Sequence, residues 1–186
     1  MTAVIVLVSL GGCGTKVNTK SPEKITKSLI EAYTKTDEDA VKKCFGVGKK
    51  DKVSSELKTE IKHYMTLFEA YDAKSVKFTE CESLGSFNGY ELVYAIYTLE
   101  KEDSESKTTL EIPCLSVYYV QNNNKKYSIV QAKDVTEEMS ENSKKEFQKF
   151  MKTDEYKTYE KDYKQFTRKN PSYEEELTNL LEQTET

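Results

Sequence analysis

The sequence predicts an α+β fold in which three N-terminal helices pack on a curved four-stranded antiparallel meander, with a C-terminal helical extension. Two observations carry this prediction. Apolar side chains recur at helical spacing before residue 72 and again after Thr136. Between Ser75 and Val135 the period changes to two, and β-branched and aromatic residues dominate. A chain of 186 residues is long enough for one domain with an appendage, but too short for two full domains.

Local end signals define the three N-terminal helices. Ser21 and Pro22 are typical of an N-cap and a first helical residue, and they predict a first amphipathic helix. The acidic run around Asp37 predicts the start of a second, shorter helix, which stops at Gly46. A third helix is predicted over residues 53–71. Its apolar stripe is the clearest helical pattern in the chain and consists of Leu57, Ile61, Tyr64, Met65, Phe68 and Tyr71.

Four alternating runs predict the strands of the meander. These runs are Val76–Leu84, Tyr90–Glu100, Thr108–Gln121 and Lys126–Val135. The polar segments between them, at residues 86–89, 103–106 and 122–124, are short enough for antiparallel hairpins. Pro113 interrupts the third run and has no N–H for a ladder, so the sequence predicts a bulge or a sheet edge at that position.

The chain after Thr136 is strongly charged and helical in pattern. Ser143 and Glu146 form a capping-box pattern, a break follows near Thr153, and a last helix is predicted from Ser172. An aromatic stripe lies between the break and the last helix: Tyr156, Tyr159, Tyr163 and Phe166. Two interpretations of this stripe stay open. It is either core that docks the tail onto the domain, across the concave face of the sheet, or a platform for a ligand.

The first residues are typical of an export signal. Residues 3–10 form an apolar run about half as long as a membrane-spanning helix, which suits the hydrophobic region of a signal peptide. The last residue of this run and the three that follow it, Leu10-Gly11-Gly12-Cys13, resemble the bacterial lipobox. In that family the cysteine thiol receives diacylglycerol, and an acyl group such as palmitate completes the anchor. No Lys or Arg precedes Val4, so either the true start lies upstream or this run is a short buried strand.

The resemblance to lipoproteins implies a division of the chain into four parts. Residues 1–12 are the predicted lipoprotein signal peptide, and residues 13–20 are a polar tether that begins at the lipid-bearing Cys13. Residues 21–135 are the α+β domain, and residues 136–186 are the helical extension. We expect residues before Ser21 to contribute nothing to the fold.

The order of three helices and a meander resembles the nuclear-transport-factor-two-like fold, also called cystatin-like or SnoaL-like. The resemblance covers residues 21–135, and residues 32–41, a helix end followed by a polar turn and a restart, are the most similar stretch. It implies a cone-shaped pocket between helices and sheet. In enzymes of this class, such as ketosteroid isomerases and dehydratases, a His or Asp in the mouth of that cone serves as general base.

Composition excludes several classes of function. A formal net charge of -4 provides no basic field for a nucleic acid. The four cysteines lie about thirty residues apart without a CxxC pair, and the chain has one histidine, so no zinc site, other metal site or cofactor is predicted. Cys44, Cys81 and Cys114 lie among apolar neighbours and are expected to be buried free thiols.

No residue stands out as catalytic. His63 lies about 120° from the centre of the third helix's apolar stripe and is expected on the surface. The strand carboxylates Glu80, Glu82, Glu91 and Glu111 either pair across the sheet or lie on a solvated face, depending on the strand register.

The sequence therefore favours a non-enzymatic lipoprotein of the cell envelope, held on the extracytoplasmic face of the cell membrane through Cys13. Its domain is expected to bind a protein, a peptide or a small apolar ligand. The alternative is an enzyme of the ketosteroid-isomerase or dehydratase type, which needs an open pocket with an ionisable residue of perturbed pKa. A purely structural envelope component is the third class.

Overall fold

The computed structural model describes residues 14–102, 108–124 and 126–184. The described chain forms six α-helices and one antiparallel sheet in the order β1-β2-β3-β4. Three helices precede the sheet: α1 (Pro22–Thr34), α2 (Glu38–Cys44) and α3 (Ser55–Tyr71). The strands are β1 (Ser75–Phe87), β2 (Tyr90–Glu102), β3 (Thr109–Asn123) and β4 (Lys126–Ile129). Three helices follow them: α4 (Glu137–Phe150), α5 (Asp154–Lys169) and α6 (Tyr173–Thr184). The predicted α+β class with a meander is confirmed.

The N-terminal helices begin where side chains can cap them. Ser21 accepts a hydrogen bond from the backbone N–H of Lys24, and Pro22 is the first helical residue of α1. Asp37 caps α2, and Ser54 caps α3. Each cap satisfies an N–H that the helix itself leaves without a partner. The predicted starts of α1 and α2 are therefore confirmed, and α3 begins two residues later than predicted.

The sheet differs from its prediction in the length of its fourth strand and in the place of its bulges. β4 ends at Ile129, not at Val135, because Ala132–Asp134 form a 3-10 helix. The register of β2 and β3 is continuous through Pro113, which lies opposite Thr98, so the alternative of a bulge there is wrong. Pro113 lies instead on an edge, because β4 pairs only with the far end of β3, from Val120 onwards. The register shifts are in β1, between Phe78 and Glu80 and between Ser83 and Gly85. Bulges of this kind increase local twist and bend a strand.

The main core lies between α1, α3 and one face of the sheet, which we call the inner face. Its buried members include Ile25, Leu29 and Tyr33 of α1, Leu57 and Ile61 of α3, and Val93, Ala95, Tyr97 and Leu99 of β2. The other sheet face, the outer face, carries a second cluster in which Tyr94 and Ile96 contact Phe150 of α4. β2 is thus buried on both faces, which explains its run of buried residues from Leu92 to Tyr97.

The C-terminal helices dock on the domain, on the outer face and at the sheet edge, as the first of the two interpretations predicts. α4 begins at Glu137, capped by Thr136, so Ser143 lies inside this helix and the start predicted there is wrong. α4 packs on the outer face, opposite α1 and α3. α5 then crosses the edge of β3 that β4 leaves free, and α6 packs against α3. The tail therefore wraps around the sheet edge.

Residues 14–20 lie against the domain. The N–H of Thr15 donates to the Asp37 carboxylate at 2.6 Å, and the N–H of Asn18 donates to the Ser28 hydroxyl at 3.0 Å. The backbone of Thr19 accepts a hydrogen bond from Tyr127 in β4. The expectation that residues before Ser21 contribute nothing to the fold is therefore wrong for residues 15–19. Their role as a tether to a lipid stays a prediction.

Candidate functional site

The inner face of the sheet carries a cavity of about 290 Å³ where it meets α3, α5 and α6. We call it the tyrosine cavity, because seven tyrosine rings line it: Tyr64, Tyr71, Tyr97, Tyr118, Tyr159, Tyr163 and Tyr173. Cys114 and Ser116 of β3 lie between them. This volume is just below the range of small-molecule sites, which begins at about 300 Å³, so the cavity suits a small ligand.

The periodicity of each element brings these rings together. In β3, Cys114, Ser116 and Tyr118 alternate at period two and share the inner face with Tyr97, the partner of Cys114 in β2. In α3, Tyr64 and Tyr71 lie two helical turns apart on one side. The rings of α5 and α6 come from the tail, so the cavity exists only because the tail docks.

Hydroxyl groups give this apolar cavity a small polar content. The Tyr97 hydroxyl lies 3.0 Å from the Ser116 hydroxyl, within hydrogen-bond distance. The Tyr163 hydroxyl donates to the Glu174 carboxylate of α6 at 2.5 Å. The Tyr173 hydroxyl is buried and has no hydrogen-bond partner among the described residues. An unpaired buried hydroxyl is costly, so a ligand acceptor at this point would gain a hydrogen bond without displacing one.

Burial keeps these groups in their neutral forms. Desolvation raises the pKa of Tyr71 and of the Cys114 thiol to about 12 each. It also raises the pKa of Tyr97 and of Tyr118 well above the usual tyrosine value. At physiological pH the cavity therefore presents hydrogen-bond donors and aromatic faces, and none of these four groups is a base.

The predicted aromatic stripe of α5 does not form one platform. Tyr156 packs with Phe150 in the outer cluster, and Tyr159 lies at the sheet edge between the two faces. Tyr163 lines the tyrosine cavity, whereas Phe166 is buried in the main core against Tyr173. Two of the four predicted residues thus reach the tyrosine cavity, because α5 turns its stripe past the edge of β3.

Sequence reasoning did not assign five of the cavity's tyrosines to a site: Tyr64, Tyr71, Tyr97, Tyr118 and Tyr173. Tyr64 and Tyr71 belong to the predicted apolar stripe of α3. The alternation of β2 and β3 puts Tyr97 and Tyr118 on one face once the register is known. The available signal was therefore an unusual number of tyrosines at core positions, since the chain has 13 tyrosines and no tryptophan.

The remaining candidate residues lie outside this cavity, except for one thiol. His63 is exposed, as expected, with its ring 5.3 Å from that of Tyr64. Cys44 and Cys81 are buried free thiols, which confirms their prediction, whereas Cys114 is only partly buried because it lines the cavity. Cys13 lies outside the described residues, as do the other residues of the lipobox-like motif.

The strand register separates the four strand carboxylates. Glu80 lies opposite Ile96, Glu82 opposite Tyr94 and Glu111 opposite Glu100. Glu91 lies opposite Ser86 and Val120, so no two of the four face each other. Glu80 and Glu111 line a second, larger cleft on the outer face.

Neither a metal site nor a membrane span occurs in the part of the chain that the structure describes. In residues 14–102, 108–124 and 126–184, no three His, Cys, Asp or Glu side chains are grouped to hold a metal ion. Within the same ranges, no helix has both the length and the apolar character that crossing a bilayer requires.

Comparisons with known proteins gave no match: no family model fits the sequence, and no curated protein or solved structure is significantly similar to the chain.

Proposed function

We propose that this chain is a lipoprotein, held on the extracytoplasmic face of the cell membrane through a lipid on Cys13, whose domain binds a small apolar ligand. The ligand occupies the tyrosine cavity. The convergence of seven tyrosine rings from the sheet, α3, α5 and α6 on one cavity is the observation that carries the binding role.

The lipobox-like motif supports the anchor. Leu10-Gly11-Gly12-Cys13 lies at the end of an apolar run of signal-peptide length. A single lipid gives only marginal membrane binding without a second acyl chain or a basic patch, and diacylglycerol with an added acyl group meets that requirement.

Cys13→Ala tests the anchor. Expressed with its genuine start codon in a native-type host, this variant should move from the membrane fraction to the soluble fraction. Cys114→Ala is the matched control, because it removes a thiol of the folded domain and should stay with the membrane. Equal membrane retention of both variants would contradict anchoring through Cys13.

The order of elements also supports the resemblance to the nuclear-transport-factor-two-like fold. Three helices precede an antiparallel meander, and the cavity lies between helices and the inner face of the sheet. The wrapping of α5 and α6 around the sheet edge adds a wall to that cavity. We therefore propose membership of this fold class with an added C-terminal wall.

The chemistry of the cavity favours binding over proton transfer, the step that the alternative enzyme would need. Tyr71, Tyr97 and Tyr118 and the Cys114 thiol have raised pKa values and stay protonated at neutral pH. Glu174, the carboxylate of the lining, accepts a hydrogen bond from Tyr163. A general base works best with a pKa near the operating pH, which protonated phenols and a protonated thiol do not offer.

Binding is tested with 2-naphthol, a neutral aromatic probe that carries one hydroxyl group. The chain has no tryptophan, so quenching of tyrosine emission reports the probe directly. We expect saturable binding with one site per chain. Ser116→Phe places a ring in the cavity and should abolish binding, whereas Ser83→Phe, on an exposed position of β1, should leave it unchanged.

A second readout uses the Cys114 thiol, which lines the cavity. The bound probe should slow labelling of Cys114 by a thiol reagent in the native protein. Equal binding by the two serine variants, together with unprotected Cys114, would rule out the tyrosine cavity as the site.

A further inference from the structure

A second cavity, on the outer face, has a different chemistry. This cleft of about 690 Å³ lies between strands β1 to β3 and helix α5. It is separated from the tyrosine cavity by Tyr97, Pro113 and Tyr159, which line both. Its volume is within the range of about 300 to 1,000 Å³ that small-molecule sites occupy. We call it the outer cleft.

Part of the floor of the outer cleft is apolar. Ile96 of β2, Pro113 of β3 and Tyr159 of α5 contribute to it. Four threonines, Thr79, Thr98, Thr109 and Thr158, add hydroxyl groups along its length. Such a surface can cover the methylene groups of an elongated ligand while its hydroxyls accept hydrogen bonds.

The charged groups of the outer cleft are nearly all negative. Glu80, Glu111, Asp154, Glu155 and Asp162 line it, against the single ammonium group of Lys169. Asp154 forms an exposed ion pair with Lys157 at 3.6 Å, and Glu155 forms hydrogen bonds with its own backbone and with Thr153, so Glu80, Glu111 and Asp162 are left to act on a ligand. A cleft with one sign of charge concentrates ligands of the opposite sign.

The negative charges are spread along the cleft and partly held in place. Glu155 and Asp162 lie two helical turns apart on the same side of α5, about 10 Å at 1.5 Å per residue. On the sheet side, the hydroxyl of Tyr94 donates to the Glu80 carboxylate at 2.8 Å. The carboxylates are not grouped to hold a metal ion within the described residues.

We propose that the outer cleft binds a linear aliphatic polyamine, a ligand whose ammonium groups are separated by methylene segments. Its ammonium groups can face the carboxylates that α5 and the sheet present, about 10 Å apart along α5, and its methylene segments can cover Ile96, Pro113 and Tyr159. The ring of Tyr159 adds an aromatic surface, against which an ammonium group is stabilised. This site lies on the other face of the sheet from the tyrosine cavity, although Tyr97, Pro113 and Tyr159 line both, and it does not depend on the lipid anchor.

Isothermal titration calorimetry of the full chain with spermidine tests the proposal. The triple variant Glu80→Gln, Glu111→Gln, Asp162→Asn should lose about threefold in affinity for each charge removed, roughly thirtyfold in total. Gln at position 80 still accepts the Tyr94 hydrogen bond, so the fold is preserved. Lys169→Gln removes the ammonium group of the cleft and should strengthen binding about threefold.

A second triple variant, Asp39→Asn, Glu69→Gln, Glu138→Gln, is the matched control. It changes the net charge equally at exposed positions outside the cleft and should bind spermidine like the wild type. Equal losses in the two triple variants would overturn the proposal in favour of a diffuse counterion effect. Absence of saturable binding, or trilysine binding at least tenfold more tightly than spermidine, would also overturn it, the latter in favour of a basic peptide.

Discussion

Phe150 joins the C-terminal helices to the outer face of the sheet, and its truncation measures how firmly they dock. It is the last residue of α4, 4% exposed, and its ring centroid lies 4.3 Å from that of Tyr94. A buried phenylalanine removes about 150 Å² of apolar surface from water, which at about 25 cal/mol per Å² is nearly 4 kcal/mol. Alanine keeps part of this term, so Phe150→Ala should cost about 3 kcal/mol.

Met151→Ala is the control, because the neighbouring side chain is 45% exposed and should contribute less than about 1 kcal/mol. Urea unfolding followed by far-UV circular dichroism measures both free energies of unfolding. A loss of 3 kcal/mol corresponds to a fall of about 6 to 12 °C in Tm for a chain of this size. A cost below about 1 kcal/mol for Phe150→Ala, or equal costs for the two variants, would refute docking of α4 on the outer face.

Further predictions follow from the N-terminal segment, the thiols and the aromatic stripe. Asp37→Ala should cost about 1 to 2 kcal/mol in urea unfolding at pH 7, because the carboxylate accepts hydrogen bonds from Ala40 and Thr15. Desolvation opposes ionisation of Asp37, but these hydrogen bonds lower its pKa in the folded protein below that in the unfolded chain. The carboxylate therefore stabilises the fold fully at pH values above its unfolded pKa. This stabilisation is lost as the pH falls through its folded pKa. The same variant should therefore cost much less at pH 2 than at pH 7, and an equal cost would contradict the carboxylate's role. Burial raises the pKa of the Cys44 thiol to about 12, so a thiol reagent should label it only after denaturation, and fast native labelling would place it on the surface. In urea unfolding, Phe166→Ala should cost about 3 kcal/mol, more than the same truncation of the half-buried Tyr163. A larger cost for Tyr163→Ala than for Phe166→Ala would contradict the burial of Phe166.

Helix starts and the strand content follow from short stretches of sequence. Ser21 with Pro22, and Asp37 with its acidic neighbours, act on N–H groups within one helical turn, so a local pattern is sufficient to place α1 and α2. The capping-box pattern at Ser143 predicted a helix start wrongly. The helix already begins at Glu137, where Thr136 caps it, and the pattern lies in its interior. The sequence likewise places free thiols at Cys44 and Cys81, because both lie among apolar neighbours.

The site depends on contacts between distant parts of the chain. Which tyrosines share a cavity is decided by the register that puts Tyr97 opposite Cys114, and by the path of α5 around the edge at Pro113. A shift of one residue would turn every strand side chain to the other face, and the alternation pattern does not decide between the two registers here, because β2 is apolar on both faces. By itself the sequence thus determined the fold class, the lipobox-like motif and most helix starts. Only the tertiary structure decided that α4 packs on the outer face whereas α5 and α6 close the tyrosine cavity. The physical reason is that both faces of β2 are apolar, so either face could accept the C-terminal helices.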